Sequence, residues 1–285
     1  MNYRHVYHAG NFADVVKHII LTRVIAYMQR KEAGFMMLDT HAGIGRYDLA
    51  SEQAQKTGEA DMGIKRYFAL EMPSDDHLDS LLSAYDNIVK ALNAGGKVTV
   101  APGSPEILSR MRRPQDRCVF NELHPADSET LEANYQREKK TEVTRINAWT
   151  VLRAKLPPHE RRGLILIDPP FEKKSETDDL LNGLSQAIKR FSTGTYLIWY
   201  PLKDDAMGNK LRDGIKTMEA SSALDTKLQI KASKDGSFYG SGMVILNPPY
   251  TLFDELQLLL AALADSLGGS ANRDNWATDW LIAPK

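Results

Sequence analysis

The chain has 285 residues, enough for one large α/β domain or two small ones, and its 42% hydrophobic and 26% charged residues are ordinary for a soluble globular protein. A formal net charge of −1 excludes a global basic field, so any nucleic-acid contact must come from local patches. The single cysteine, Cys118, excludes an internal disulfide and a cysteine-built zinc site; it reads as a small core residue in a reducing cytosol.

The opening MNYRHVYHAG lacks the apolar core of a signal peptide, and the longest apolar run, 256–264, is too short to cross a bilayer. The expectation is a soluble, cytoplasmic protein with no membrane partner. Over 11–30, Val15, Val16, Ile19, Ile20, Val24 and Tyr27 recur at helical spacing, with Asn11 as cap. FMMLD (35–39) reads as a buried strand that ends in the turn THAGIG (40–45). From 46 to 97 the chain is polar and mostly helical, including DDHLDSLLSAYDNIVKAL. A short strand VTVAP, the turn PGSP and a helix EILSRM follow.

RCVFNE (117–122) is a strand, SETLEANYQREK a helix, VTRIN (143–147) a short strand, and LILID (164–168) the most strand-like run of all. LLNGLSQAIKRF is an amphipathic helix, YLIWYP (196–201) a strand and NKLRDGIKTMEA a helix. LQIKA and GMVILNP read as two strands, LFDELQLLLAALADSL as a helix and WLIAP as a closing strand. Strands alternating with helices argue an α/β fold: a parallel sheet with helices on both faces, closing through an antiparallel hairpin. Only 46–97 breaks the rhythm, as a small helical insertion within a single domain spanning 1–285.

Ligands of such a sheet sit at the carboxyl ends of the strands. There the first turn, D-T-H-A-G-I-G, offers Asp39, Gly43 and Gly45; the glycines admit dihedrals and close approaches denied to other residues. The third glycine of a dinucleotide fingerprint and the Lys-Ser/Thr of a P-loop are both missing, which leaves the looser turn of S-adenosylmethionine enzymes. A ribose needs a carboxylate at the next strand tip, where Glu122 falls, although an acid ending a strand is also an ordinary surface group. Asn147 ends the third strand, as a contact to the adenine edge or simply as a turn residue.

LILIDPPF (164–171) and VILNPPY (244–250) both match [DNS]-P-P-[YFW], the pattern of amino-methyltransferases. In such a site Asp168 and the carbonyl of Pro169 accept both hydrogens of an exocyclic amine, and Asp168 can take the proton released. Prolines stiffen the turn, and Phe171 offers a flat face to an unstacked base. The plain alternative is a strand that stops at Pro-Pro. Position separates the two: LILIDPPF falls on the fourth core strand beside the first, whereas NPPY ends a late strand in the edge hairpin. Of the basic clusters, 161–162 and 173–174 flank the D-P-P-F turn and are the better candidates for phosphate contact.

The segments YRHVYHAGNFADVVKH, LDTHAGIGRY, PGSP, ELHP, RRGLILIDPPFE, WYP and NPP together resemble the bacterial 23S ribosomal RNA adenine-N6 methyltransferases, a family once labelled as proteins for catabolism of external DNA. The resemblance runs over nearly the full length. It implies a Rossmann-like class I S-adenosylmethionine-dependent methyltransferase fold with an inserted helical subdomain. It further implies cofactor contacts at Lys17, His18, His41, Ser104, Glu122, the pair Asn147-Ala148 and Asp168, with Asp168 as proton acceptor and Tyr3 and His5 near the target adenosine. The pair 147–148 departs from the more usual Asp-Gly, and D-P-P-F from D-P-P-Y. Without the resemblance, His18 and His41 read as solvated or capping groups. No H-x-x-H or H-E-x-x-H spacing supports a metal, and none is expected.

The function implied is methyl transfer to 23S rRNA, in a stripped or early-assembly form, by a monomer. A DNA adenine-N6 methyltransferase is the runner-up, and a non-catalytic nucleic-acid-binding protein in external-DNA use is the third reading.

Overall fold

LILID lies at the centre of the sheet. In the computed structural model, which describes residues 4–70, 75–173, 175–203, 205–231, 238–268 and 275–284, it forms β6 (Gly163–Ile167), buried at every residue. The unbroken apolar run follows from cover on both faces, the environment of a central parallel strand. β6 is flanked by β1 (Met36–Asp39) and β7 (Thr195–Leu202), and β4 (Arg117–Asn121) and β5 (Thr141–Thr144) continue beyond β1, all five parallel. Past β7 come β9 (Gly240–Leu246), β8 (Ala223–Gln229) and β10 (Trp276–Ile282). β9 runs against both β7 and β8, and β10 runs against β8.

Side chains of β6 alternate between two cores. Leu164 and Leu166 pack with α1 (Phe12–Met28), α4 (Asp76–Leu92), α5 (Ser104–Met111), α6 (Pro125–Tyr135) and α10 (Leu252–Gly268). Ile165 and Ile167 pack with α7 (Ala148–Lys155), α8 (Glu176–Arg190) and α9 (Asp205–Lys216). α1 is capped by the Asn11 side chain, which accepts from the Asp14 amide at 2.9 Å. It is buried almost all round, so its few polar residues point where the core opens.

Between β1 and β4, β2 (Arg46–Asp48) and β3 (Val100–Pro102) pair as an antiparallel ribbon enclosing α2 (Glu52–Thr57), α3 (Ile64–Ala69) and α4. Leu78, Leu81, Leu82 and Tyr85 of α4 share one core with α1 and α10.

Four local expectations change. α7 has no counterpart in the sequence reading: Trp149, Thr150 and Val151 are poor helix formers, but Asn147 caps the helix and Val151 and Leu152 bury against the sheet. β5 stops at Thr144, short of Asn147. β9 is interior and fully buried, and β10 holds the edge, so the late hairpin is not an edge hairpin. Arg161 and Arg162 precede β6 and lie at its amino end, with Arg162 donating to the Met28 and Ala33 carbonyls; they are remote from the D-P-P-F turn.

The reversed direction of β9 puts the two Pro-Pro motifs at opposite ends of the sheet. Its last residue, Leu246, lies opposite Tyr196, which pairs with Ile165. The chain then leaves at the amino end of β7, whereas Asp168 emerges at the carboxyl end of β6. Asn247 adopts a left-handed φ of 49°, and its amide donates to the Ser192 and Gly194 carbonyls at 2.8 and 2.7 Å. It staples a loop.

Candidate active site

A crevice opens at the carboxyl ends of β1, β4 and β6, closed on one side by the first turns of α1. It brings together every cofactor position expected from the sequence: Lys17, His18, His41, Ser104, Glu122, Asn147, Ala148 and Asp168, with His5 at its mouth.

The first turn is built around two glycines. Gly43 and Gly45 have φ of 61° and 85°, and a Cβ on them would come within 2.0 Å of the Tyr47 hydroxyl and 2.2 Å of the Tyr135 hydroxyl. The room made by the missing side chains is therefore filled by tyrosines, not left for a ligand. The turn's contribution is the Gly43 amide, which donates to Glu122 Oε2 at 2.8 Å. Glu122 Oε1 accepts from the His124 amide at 2.8 Å. Burial pushes the Glu122 carboxyl up, against the pull of those two amides, and each oxygen keeps a lone pair for a further donor.

Asp39, at the tip of β1, is fully buried, and its Oδ1 accepts from the His41 amide at 3.1 Å. Burial pushes its pKa up to about 7, opposed by the Ser104 hydroxyl and the His41 amide. His18, 1% exposed, has neither ring nitrogen hydrogen-bonded, and burial pushes it down to about 3. His41 bonds Thr40 Oγ1 through Nδ1 at 2.8 Å, and burial takes it to about 4. Both imidazoles are neutral near pH 7 and can each donate one hydrogen bond. Unpaired polar atoms buried in a crevice mark the place of a missing partner.

Lys17 is the charged centre. Its ammonium lies 2.9 Å from Asp14 Oδ1 and 2.5 Å from Asp168 Oδ2. Burial opposes its charge, but the two carboxylates outweigh that and raise its pKa. Burial likewise opposes the Asp14 charge, which His5 and Lys17 nevertheless hold well below the usual carboxylate range. Asp168 is 16% exposed at its side chain, and its other oxygen is free to face the crevice.

Asn147 accepts the Trp149 amide at 2.9 Å as the cap of α7 while also lining the crevice, so it is both turn residue and wall. Pro169 is buried, and Pro170 is the proline of the lining. Phe171 corrects the sequence reading. It is 6% exposed, has a φ of 49°, and its ring turns into the second core, edge-on to Trp199 at 6.0 Å; it offers no face to the crevice. Lys203 donates to its carbonyl at 3.1 Å. Lys173 lines the crevice, Lys174 lies outside the described residues, and so does Tyr3. His5 contacts Asp14 at 2.9 Å and the Tyr47 ring edge-on at 5.2 Å.

Among the residues that sequence reasoning missed are three that line the crevice and Asp14 behind it. Asp14 looks like half of a surface i,i+3 pair; Tyr47 and Trp149 look like core aromatics. Asn121, next to Glu122, binds the Thr40 and Ile146 carbonyls, the Ile146 amide and the Thr144 hydroxyl, tying three loops together. Among the described residues no group of three His, Cys, Asp or Glu is placed to hold a metal ion, and no helix is long and apolar enough to cross a membrane.

Five parallel strands in the order β5-β4-β1-β6-β7, continued by a reversed strand and a crevice at the β1/β6 switch point, define a Rossmann-like class I methyltransferase fold. Within that class the chain belongs to the family described as ribosomal RNA large subunit methyltransferase D, RlmJ, whose model matches residues 32–282. It is 38% identical over 284 residues to the ribosomal RNA large subunit methyltransferase J of Haemophilus influenzae, covering 99% of each chain. The Escherichia coli protein of the same name is 38% identical over 286 residues, again with 99% of each covered. The crystal structure of protein LPL1258 from Legionella pneumophila is 32% identical, with a TM-score of 0.86 over 98% of this chain and 99% of that one.

Proposed function

We propose that the protein transfers a methyl group from S-adenosylmethionine to N6 of an adenine in 23S rRNA, as a single cytoplasmic domain with 46–97 as its helical insertion. The family and the names of its relatives support the substrate class. The observation that carries the chemistry is the Asp168 carboxylate, which enters the crevice with one oxygen held by Lys17.

The residues present fit the donor. Glu122 has two oxygens ready for vicinal hydroxyls, Asn147 and Ala148 wall the adenine end, and unpaired His18, with His41, Lys17 and Ser104, suits a carboxylate and amine. When bound, the donor supplies an electrophilic methyl carbon on a sulfonium. Asp168 accepts a hydrogen bond from the adenine amine through its free oxygen, turning the nitrogen lone pair toward the methyl. The N–C bond forms as the C–S bond breaks, and the amine's proton passes to Asp168. Pro169 is buried, so Asp168 is the acceptor on which the reading rests. Because that carboxylate lies inside the crevice, the base must leave its stack, which favours stripped or early-assembly RNA over a folded particle.

The test is incubation with labelled S-adenosylmethionine and naked 23S rRNA, assembled large subunits or DNA, for wild type and Asp168→Ala. Label in naked rRNA that Asp168→Ala abolishes is the expected result. Label in DNA alone would promote a DNA adenine methyltransferase, and label in neither would leave a nucleic-acid-binding protein. Light scattering checks the monomer.

A further inference from the structure

Asp14 touches no crevice surface of its own, yet it ties together two groups that do. It sits in the first turn of α1, 3% exposed. Its Oδ2 accepts from the Gly10 amide at 2.9 Å and lies 2.9 Å from His5 Nε2, while Oδ1 lies 2.9 Å from Lys17 Nζ. Lys17 then reaches Asp168 Oδ2 at 2.5 Å. Carboxylate, ammonium and carboxylate form one chain, running from the backbone of the N-terminal segment to the tip of β6. The Asp14 and Lys17 side chains are only 5% and 6% exposed, so water has little room to replace either contact.

We propose that Asp14 is a positioning residue for methyl transfer: through Lys17 it fixes which oxygen of Asp168 faces the substrate amine. This rests on the reading of Asp168 as the group that accepts the amine's proton. Asp14 is itself anchored. The Gly10 amide that holds it belongs to a residue with a φ of 75°, where a Cβ would meet Ile64 at 2.9 Å, so the backbone there has little freedom. A Lys17 ammonium held from behind by an anchored carboxylate cannot swing along its long stem. It therefore pins Asp168 Oδ2 and leaves Oδ1 for the substrate. Held by Asp168 alone, the same ammonium would move with the carboxylate it is meant to orient.

Asparagine cannot do this work. Three donors converge on Asp14, two on one oxygen and one on the other. An amide has one acceptor oxygen, so either its NH2 group faces Lys17 or it faces Gly10 and His5, donor against donor. The i,i+3 spacing of Asp14 and Lys17 is common on helix surfaces, where it is worth little; burial and the third member on β6 give it a different role here.

Asp14→Asn is compared with wild type in three measurements: single-turnover transfer from labelled S-adenosylmethionine to naked 23S rRNA, calorimetric affinity for S-adenosylhomocysteine, and labelling of Lys17 by an amine-reactive ester read by mass spectrometry. A misplaced carboxylate lowers the single-turnover rate by about 10- to 100-fold. S-adenosylhomocysteine affinity falls by much less than the rate: Lys17 also lines the donor's crevice, but most of the loss lies in the chemical step. Lys17 labelling rises severalfold because one of its two carboxylates no longer holds it. A rate within about threefold of wild type, an affinity that falls as far as the rate, or unchanged Lys17 labelling would each overturn the proposal. Should Asp14→Asn fail to fold, Asp14→Glu, which keeps both oxygens on a longer arm, is judged by the rate and affinity criteria, with Lys17 remaining protected. An Asp168→Ala protein that transfers label at the wild-type rate would remove the underlying reading of Asp168; a full-rate Asp14→Asn beside an inactive Asp168→Ala overturns the role of Asp14 alone.

Discussion

Lys17 and Asp168 lie 151 residues apart in the chain and 2.5 Å apart in space, the ammonium of α1 against the carboxylate that follows β6. The pair joins the first helix to the D-P-P-F turn, and with Asp14 it leaves a buried cation between two carboxylates.

Removing the cation should expose this arrangement. In Lys17→Met the Asp14 and Asp168 charges lose their shared partner, and breaking a buried pair costs on the order of 3–5 kcal/mol. Adding Asp168→Asn to that variant removes one stranded charge, so the double variant should be more stable than Lys17→Met alone. Urea denaturation of the three proteins reads this directly. A double variant no more stable than the single one would mean that Asp168 is solvated well enough not to need Lys17.

The buried titratable groups predict opposite pH slopes. His18 has its folded pKa near 3, below the unfolded 6.5, so the unfolded chain binds a proton first and this group subtracts stability as pH falls below 6.5. Asp39, near 7 when folded against 3.8 unfolded, binds its proton first in the folded state and adds stability as pH falls from 7 toward 3.8. Between about pH 6.5 and 4 the two largely cancel. His18→Gln should therefore gain stability relative to wild type on acidification, by about 1.4 kcal/mol per pH unit below 6.5. Asp39→Asn should lose stability relative to wild type over the same range. Parallel pH-stability curves for wild type and His18→Gln would contradict a neutral buried His18.

Phe171 separates a core role from a stacking role. With its ring 6% exposed and edge-on to Trp199, Phe171→Ala should destabilise by about 3–5 kcal/mol, the usual loss for a buried phenylalanine. A stacking residue would instead leave stability unchanged and weaken RNA binding. Thermal melting and RNA affinity, measured together, distinguish the two.

The sheet was legible in the sequence because its parallel strands are apolar on both faces and end in polar turns. That placed Asp39, Glu122 and Asp168 at strand tips without any contact being known, whereas Asn147 lies beyond the end of β5 and caps α7. Phe171 was not legible, because its direction depends on a left-handed φ that nothing in D-P-P-F announces. Nor was the interior place of β9, which depends on pairing with β7 and β8 and not on its own residues; only the antiparallel pairing of the late strands was legible. His18 was recognisable only through family resemblance, since a histidine on an amphipathic helix reads as a solvated or capping group until its burial beside the crevice is seen.

Gly45 tests how tightly the first turn is packed. Its φ of 85° disfavours any L side chain, and a Cβ would overlap the Tyr135 hydroxyl at 2.2 Å, while Tyr135 is itself bonded to Glu106 at 2.8 Å. Gly45→Ala should destabilise by about 3 kcal/mol or more, combining backbone strain with overpacking. Gly58 has a similar φ of 64°, but its nearest atom is 3.8 Å away, so Gly58→Ala should cost only about 1 kcal/mol. Equal melting temperatures for the two variants would show that the space around Gly45 yields.

The second Pro-Pro motif supplies the matching control for the first. Asn247 holds a left-handed backbone and donates to two carbonyls at the amino end of β7, on the far side of the sheet from Asp168. Asn247→Ala leaves both carbonyls unsatisfied and adds strain, so it should destabilise by about 2–3 kcal/mol. Well below its melting temperature, the folded protein should transfer methyl groups at the wild-type rate. Asp168→Ala should do the reverse, losing transfer while remaining folded. Measuring both variants for melting temperature and single-turnover transfer asks whether the four letters or the strand's direction decide the chemistry. A slow Asn247→Ala with normal stability would count against strand direction as the deciding factor.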